Sequence, residues 1–121
     1  ELYRKLLMDK LEVNAGMLIE NIVAQMLAAA GHKLYFYSNP DNEDAENRME
    51  IDFLIRKDKV TSRHNIIPLE AKSSSGYKTV SLNKCVRKFG EFVTLPTVLH
   101  SSDARTEEGI RYLPLYMTPL L

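Results

Sequence analysis

Two short stretches of alternating residues place the strongest constraint on how this chain folds. In Met49–Arg56 (MEIDFLIR) acids alternate with large apolar residues, and Ile66–Lys72 (IIPLEAK) places an acid and a lysine at alternate positions. A period of two predicts β-strands with one polar and one apolar face. The polar segment between them (KDKVTSRHN) predicts a turn. We therefore expect an antiparallel hairpin whose polar face carries ionisable side chains.

The hairpin would bring two acids face to face. If it folds symmetrically about Thr61, Asp52 lies opposite Glu70. In the same register Glu50 lies opposite Lys72, on the same side of the sheet. Directly opposed side chains have Cβ atoms about 5 Å apart, so two carboxylates there repel each other unless a proton or a cation lies between them. A hard divalent cation such as Mg²⁺ suits the site because it prefers oxygen ligands at about 2.1 Å.

Two features leave other interpretations open. A charged strand face is also typical of a solvated sheet surface, and Glu50 and Lys72 could form an ordinary cross-strand ion pair. Pro68 lacks a backbone N–H, so the second strand must be bulged or lie locally at an edge there. A bulge would shift the register by one residue.

Apolar periodicity and turn residues predict the remaining elements. Residues 1–13 are predicted to form a leading helix, and Asn14 is a candidate N-cap for a second helix that Gly31 closes. On this second helix Glu20 lies at the edge of a broad apolar face. Further segments are predicted as strands at Lys33–Ser38 and Thr97–Ser101, a helix at Lys78–Gly90, and a last strand (IRYLPLYM) broken by Pro114.

The order of these elements indicates an α/β fold. The chain is predicted to run helix, strand, strand, strand, helix, strand, with additions at both ends. The third strand, the helix after it and the next strand form a β-α-β unit, whose two strands we expect to be parallel with a right-handed crossover. We therefore expect a mixed central sheet flanked by helices.

Composition limits the classes of protein that fit. With 121 residues the chain is expected to form one domain, residues 1–121. Lys and Arg together number 16, as do Asp and Glu, so the net charge is zero and a nucleic acid would have to be bound through local patches. The single cysteine, Cys85, excludes an internal disulfide and indicates a reducing compartment. No apolar run approaches the roughly 20 residues of a membrane span, so we expect a cytoplasmic protein with no membrane partner.

Several residues have more than one interpretation. Tyr77 could stack on a nucleic-acid base or cap the sheet. The loop Ser73–Ser75 with Gly76 could bind phosphate through backbone N–H groups, although a flexible turn is the commoner structure. Cys85 lies on the apolar face of its predicted helix and is expected in the core. The three histidines show no ligand spacing and are expected at the surface or at strand ends: His32, His64 and His100.

The combined pattern resembles a known superfamily. An acid in the first helix (Glu20), then Asp52, then Glu70-Ala71-Lys72, on an α-β-β-β-α-β order, is similar to the PD-(D/E)XK nucleases, whose fold is restriction-endonuclease-like. More narrowly, the string NAGMLIENIVAQML…LYFY…EIDFLI…IPLEAKSS…SL resembles the C-terminal domain of unknown function of bacterial and archaeal AAA-type ATPases. The resemblance covers residues 14–89, with a weaker match in YLPLYM. It implies an N-terminal ATPase domain, and since the sequence begins without Met in a predicted helix, we expect a C-terminal fragment of that longer chain.

Carried over residue by residue, the resemblance implies a metal-dependent active site. Asp52 and Glu70 would bind Mg²⁺ or Mn²⁺, and the Ala71 carbonyl would complete the inner coordination. Lys72 would act on the attacking water or stabilise charge that develops on the phosphate. Glu20 matches a first-helix acid that many relatives direct towards the metal. The acids beside Lys72 favour its charged form, so an electrostatic and orienting role fits it better than that of a general base.

The sequence departs from the family pattern in two respects. The usual Pro-Asp dipeptide is Ile51-Asp52 here. The ATP-binding motif G-x-x-x-x-G-K-[ST] is absent, so the chain cannot hydrolyse ATP by that route. Two function classes follow: a metal-dependent nuclease acting on DNA, or an inactive nuclease-fold module that binds DNA or protein or regulates the ATPase. The intact set of acids and lysine favours the first class, and the neutral net charge favours the second.

Phosphate contacts would come from basic residues in the hairpin turn and in the predicted helix Lys78–Gly90. On that helix Lys84 and Lys88 are four residues apart and share a face. A basic helix face is also typical of a solvated surface. The candidates are Lys57, Lys59, Arg63, Lys78, Lys84, Arg87 and Lys88.

Overall fold

The fold combines a mixed β-sheet with helices on both of its faces. The computed structural model describes residues 2–41, 43–45, 48–57, 65–73 and 77–121, with side chains from residue 15 onwards. The elements in chain order are α1 (Leu2–Ala29), β1 (Tyr35–Asn39), β2 (Met49–Arg56), β3 (Ile66–Ala71), α2 (Val80–Phe89), β4 (Thr97–His100), β5 (Arg105–Glu107), β6 (Ile110–Pro114) and a 3₁₀ helix (Leu115–Leu120).

Helix α1 is longer than the sequence pattern predicts. It runs without interruption through Asn14, so the predicted N-cap there is wrong and residues 2–13 belong to the same helix. One Asn costs little helix propensity, and continuing a helix is easier than starting a second one. The end of the helix is as predicted, because Gly31 adopts a left-handed φ of 95° and its N–H donates to the Ala28 carbonyl. Among the described residues, no helix has both the length and the apolar composition of a membrane span.

The sheet is mixed, as predicted. Its strands lie in the order β1-β2-β3-β4-β6-β5. β2 is antiparallel to β1 and to β3, β4 is parallel to β3 and to β6, and β5 is antiparallel to β6. The parallel pairing of β3 with β4 across α2 confirms the predicted β-α-β unit.

Helices α1 and α2 cover opposite faces of this sheet. Val98 and Leu99 are neighbours in β4 and therefore point to opposite faces. Leu99 lies in a hydrophobic cluster with Leu27 of α1, which we call the α1 cluster, and Val98 lies in one with Leu82 of α2, which we call the α2 cluster. All four side chains are fully buried, and each contributes about 2 kcal/mol to folding by leaving water. Cys85 belongs to the α2 cluster, as predicted.

The register predicted for the hairpin is confirmed where β2 and β3 pair. Leu54 lies opposite Pro68, and the neighbouring pairs keep the same register, so the proline causes no bulge. The missing N–H of Pro68 faces the segment before β4, because Ile66, two residues earlier, donates its N–H to the Phe92 carbonyl on that side. β4 begins only at Thr97. Pro68 therefore lies at a local gap in the pairing, which is one of the two arrangements expected from the sequence.

Strand β2 changes face in its middle. Tyr35 pairs with Leu54, but Tyr37 pairs with Ile51, so three residue steps on β2 match two on β1. The extra residue forms a β-bulge. Ile51 accordingly lies in the α2 cluster, whereas Phe53 lies in the α1 cluster. The expectation of one uniform apolar face along β2 is wrong. The buried apolar side chains change from the α2 side of the sheet to the α1 side around Asp52.

The C-terminal strands also differ from the prediction. The sequence pattern did not predict β5, which forms a hairpin with β6 through Glu108 and Gly109. Both turn residues have positive φ, 50° and 80°, as tight two-residue hairpins of type I′ require. The side chains of β5 are all exposed, so no apolar alternation marks the strand. β6 ends at Pro114, where a break was predicted, and the 3₁₀ helix follows it.

Candidate functional site

Acids from α1 and β2 meet in a cavity between α1, β1 and β2. The cavity has a volume of about 260 Å³, and its lining includes Glu20, Glu50 and Asp52 together with Phe36. Glu20 comes from α1, and the other two acids come from the bulged part of β2. The structure thus places Glu20 and Asp52 in one cavity and adds Glu50 to them. We call this the acidic cavity.

Asp52 is held by the backbone of β3. Its Oδ2 accepts a hydrogen bond of 2.9 Å from the Ala71 N–H. Regular pairing of β2 with β3 begins one residue later, at Phe53 and Leu69. The carboxylate therefore takes the place of a backbone carbonyl where the two strands part. Two of the predicted metal-site residues, Asp52 and Ala71, are in direct contact.

Glu70 and Lys72 form an ion pair at the end of β3. Lys72 Nζ lies 3.4 Å from Glu70 Oε2, as expected for residues two apart on a strand. Glu70 is only 3% exposed, whereas the lysine side chain is 29% exposed and can reach solvent. Within the described part of the chain Lys72 forms no ion pair with Glu50, so the cross-strand pair considered above is not formed.

Three carboxyl groups of the site have a pKa above the ordinary range. Removal from water is the largest cause for Glu20, Asp52 and Glu70 alike. The charge of Glu50 raises the pKa further in each case, while the charge of Lys72 lowers it. A backbone N–H also lowers the pKa of Asp52. The site thus combines one lysine, Lys72, with four acids: Glu20, Glu50, Asp52 and Glu70. This excess of negative charge favours a proton or a cation among the acids.

Glu50 is the member of the site that the sequence interpretation missed. It was considered only as an ion-pair partner of Lys72 or as part of a solvated strand face, yet it lines the acidic cavity and acts on the pKa of all three neighbours. A signal was present in the sequence. Acids two residues apart on one strand, as Glu50 and Asp52 are, share a face.

The donor set suits a hard divalent cation by its chemistry, but it is not a complete metal site. Asp52 Oδ1 and Glu70 Oε1 take part in no hydrogen bond or ion pair with the described residues. Carboxylate oxygens are the ligands that Mg²⁺ and Mn²⁺ prefer. Across the described ranges, however, no three acids, histidines or cysteines converge to hold a metal ion. A bound cation would need water or substrate oxygens as further ligands, as is usual for Mg²⁺.

The predicted phosphate contacts lie on different parts of the surface. Lys57 lines a second cavity at the end of β2. Lys84 lies on α2, and its Nζ donates hydrogen bonds to the carbonyls of Ala45 and Arg48 at 2.5 and 3.0 Å. The ammonium group of Lys84 is therefore occupied in fixing the loop before β2.

The other basic candidates are exposed or undescribed. Lys88 Nζ lies 5.5 Å from the centre of the Phe89 ring on α2. Lys78 is exposed just before α2. Lys59 and Arg63 lie outside the described residues, as do most of the serine loop and His64.

Tyr77 caps the sheet, which is one of the two roles considered for it. Its ring stacks with Tyr112 at a centroid distance of 6.4 Å, and its hydroxyl lies 2.9 Å from His100 Nδ1. His100 Nε2 lies 3.0 Å from the Asp103 carbonyl, which can only accept, so Nε2 carries the proton and Nδ1 accepts from Tyr77. His100 lies at the end of β4, as predicted, but it is fully buried.

Comparison with protein families identifies the group to which the chain belongs. The family model described as "Domain of unknown function (DUF4143)" matches residues 15–117. The chain is a member of the DUF4143 family. The part of this DUF4143 chain that matches includes Glu20, Asp52, Glu70 and Lys72. No curated protein and no solved structure matches the chain.

Proposed function

We propose that this DUF4143 chain is a nuclease-like domain that hydrolyses phosphodiester bonds of DNA with the aid of Mg²⁺ or Mn²⁺. The observation that carries the proposal is the gathering of Glu20, Glu50 and Asp52 in one cavity, close to the Glu70–Lys72 ion pair. Asp52 links the two groups through its hydrogen bond to β3. Acids of raised pKa around a lysine, at a point where two strands part, suit metal-assisted hydrolysis.

The resemblance to the PD-(D/E)XK superfamily supports the same proposal. The first six elements of the chain run α-β-β-β-α-β, the order of a restriction-endonuclease-like core. The narrower resemblance to a module of AAA-type ATPases extends the proposal to a partner, an ATPase domain that precedes this one in the same chain. A cytoplasmic location fits both, and the buried free thiol of Cys85 suits a reducing compartment.

Each residue of the site has a distinct role in this proposal. Asp52 and Glu70 would hold the cation, with the Ala71 carbonyl beside them. When bound, the cation would polarise the phosphate and neutralise the charge that develops on it. The ammonium group of Lys72, which Glu70 positions, donates a hydrogen bond to a phosphate oxygen or to the attacking water. Glu20, on the wall of the acidic cavity, accepts a hydrogen bond from that water.

A second candidate function is an inactive nuclease-fold module that binds DNA or protein, or regulates the ATPase. One observation favours it: within the described residues no three ligands converge on a metal position, while Lys72 neutralises Glu70 directly. The zero net charge of the chain points the same way. In this case the acids would be a surface for a basic partner.

Isothermal titration calorimetry with Mn²⁺ and Mg²⁺ separates the two candidates. We expect binding at millimolar concentration or tighter, weakened at least about tenfold in Asp52→Asn and Glu70→Gln. Glu91→Gln is the matched control, since it removes an exposed acid outside the site. If the unmodified chain binds neither cation at millimolar concentration, the catalytic proposal is wrong.

Cleavage assays then test the reaction itself. The substrates are labelled single-stranded, duplex and branched DNA, incubated with Mn²⁺ or with EDTA. We expect products only with the cation, and loss of products in Asp52→Asn and in Lys72→Met, but not in Glu91→Gln. Cation binding without cleavage of any substrate would favour the inactive module.

A further inference from the structure

A basic cavity lies further along the β1–β2 pair than the acidic one. It has a volume of about 490 Å³ and is formed by the residues that follow α1, the start of β1 and the end of β2. The charged side chains that line it are Lys33, Arg56 and Lys57. Its described lining contains no acid, and no described carboxylate pairs with these three cations. Among the described residues, these three positive charges therefore have no acidic partner.

Each of the two cavities has an exposed aromatic ring in its lining. Tyr35 lines the basic cavity and is 43% exposed, and Lys33 Nζ lies 5.6 Å from the centre of its ring. The next residue, Phe36, lines the acidic cavity and is 78% exposed. Aromatic rings that face solvent beside cations suit the stacking of nucleic-acid bases, since every base offers a π face.

The separation of the cavities fits a short length of nucleic acid. Asp52 in the acidic cavity and Arg56 in the basic one lie four residues apart on β2, so their Cα atoms are at most about 13 Å apart at roughly 3.3 Å per residue, and the β-bulge turns the strand between them. A stacked strand rises about 3.4 Å per nucleotide, so about four nucleotides cover this distance. Phosphates held at the basic cavity would place a bond of the same strand at the acids.

We propose that the basic cavity binds the sugar–phosphate backbone of one DNA strand. Arg56, Lys57 and Lys33 contact phosphate oxygens, and Tyr35 stacks on a base. His32 also lines the cavity, and its Nε2 donates to the Leu121 backbone oxygen at 2.6 Å. The further course of the strand towards the acids rests on the proposed nuclease function, whereas binding at the basic cavity does not.

Fluorescence anisotropy of a labelled 16-nucleotide single strand, in EDTA so that no cleavage occurs, tests the proposal. We expect Arg56→Ala to weaken binding several-fold and Arg56→Ala/Lys57→Ala at least about tenfold at low salt. The double variant should also reduce the slope of log affinity against log salt by about 1.4, which corresponds to two lost phosphate contacts. Arg48→Ala is the matched control, an exposed arginine at the other end of β2, and should bind as the unmodified chain does.

Tyr35→Leu separates stacking from charge. It should weaken binding of the single strand more than binding of a duplex, whose bases are already stacked, and it should leave the salt slope unchanged. Tyr116→Leu, which changes an exposed tyrosine outside the cavity lining, should change neither. Thermal melts monitored by circular dichroism confirm that each variant is folded.

Four results would overturn the inference. They are equal affinity of the double variant and the unmodified chain, no measurable binding by the unmodified chain, full displacement of the strand by millimolar inorganic phosphate, and loss of binding in Arg87→Ala/Lys88→Ala on α2 instead. These results do not depend on cleavage. Strand binding that requires Arg56 and Lys57, combined with no cleavage in any cation, would leave this inference standing and overturn the proposed nuclease function.

Discussion

The Asp52 carboxylate accepts the Ala71 N–H at 2.9 Å, so a side chain continues the β2–β3 ladder where the backbones part. The contact fixes the Asp52 carboxylate at the point where β2 and β3 separate, and Glu70 is adjacent to Ala71 in the chain. Asp52 therefore has both a structural and a proposed chemical role. Substitutions that keep its shape can separate the two.

Asp52→Asn and Asp52→Ala should differ in stability. The amide of Asn keeps an oxygen that can accept the Ala71 N–H, whereas Ala leaves this buried group without a partner. An unsatisfied buried donor costs about 1–3 kcal/mol, so Asp52→Ala should have the lower free energy of unfolding in urea. The same two changes at Asp103, an exposed acid, should differ by less than about 0.5 kcal/mol. Equal stability of the two Asp52 variants would show that the hydrogen bond does not support the fold.

Glu70→Gln should stabilise the protein at neutral pH. Burial, followed by the nearby charges of Asp52 and Glu50, holds the pKa of Glu70 above its ordinary value of 4.5 despite the opposing effect of Lys72. A folded-state pKa above the unfolded one means that ionised Glu70 destabilises the fold at any pH above the folded pKa. We expect a gain of about 1 kcal/mol at pH 8 that shrinks as the pH falls and is absent below 4.5. Urea titrations at several pH values measure it, with Glu91→Gln as the control, and a gain independent of pH would contradict the assignment.

Tyr77→Phe should destabilise the fold by about 1 kcal/mol. The change removes the hydroxyl that donates to His100 Nδ1 and leaves that buried nitrogen without a partner. Tyr116→Phe removes an exposed hydroxyl and should have little effect. Urea denaturation gives both values. Nitrogen chemical shifts of the His100 ring should report a proton on Nε2 in the unmodified chain, and a proton on Nδ1 would contradict the hydrogen-bond assignment.

The sequence predicted the hairpin well because its register depends on local spacing, whereas the ion pair that it suggested, between Glu50 and Lys72, is not formed among the described residues. The bounds of β2 and the register against β3 follow from a period of two that the packing on both faces reinforces. Glu70 and Lys72 are two residues apart, so their contact follows from strand geometry alone. The bulge in β2 could not be predicted, because it depends on the pairing with β1, a contact between distant parts of the chain.

Other features of the site depend on tertiary contacts in the same way. The prediction of a helix break at Asn14 was wrong because one residue of modest helix propensity does not end a helix. The basic cavity brings together Lys33 and Arg56, which no short window of sequence contains. The ammonium group of Lys84 binds carbonyls of the loop before β2, a tertiary contact that the sequence does not reveal. From its charge alone, Lys84 was predicted to contact phosphate.

Gly16→Ala and Gly31→Ala should change stability in opposite directions. Gly16 lies within α1, and a Cβ added there meets no atom within 4 Å, so alanine should raise the free energy of unfolding by about 0.5–1 kcal/mol. Gly31 has a φ of 95°, which alanine adopts only with strain, so alanine should lower the free energy of unfolding by about 1 kcal/mol or more. Thermal melts of the two variants provide the comparison. A loss of stability in Gly16→Ala would argue against a continuous α1.

Glu50→Gln should lower the pKa of Glu20 and of Asp52. The negative charge of Glu50 raises both, after the larger effect of removal from water, so neutralising it makes each neighbour easier to ionise. Carboxyl-carbon NMR titrations should show both transitions at lower pH, while Glu43→Gln, an exposed loop acid, leaves them in place. The same loss of negative charge should weaken Mn²⁺ binding, although Glu50 need not touch the cation. Unchanged titration of Asp52 in Glu50→Gln would show that Glu50 does not act on the site.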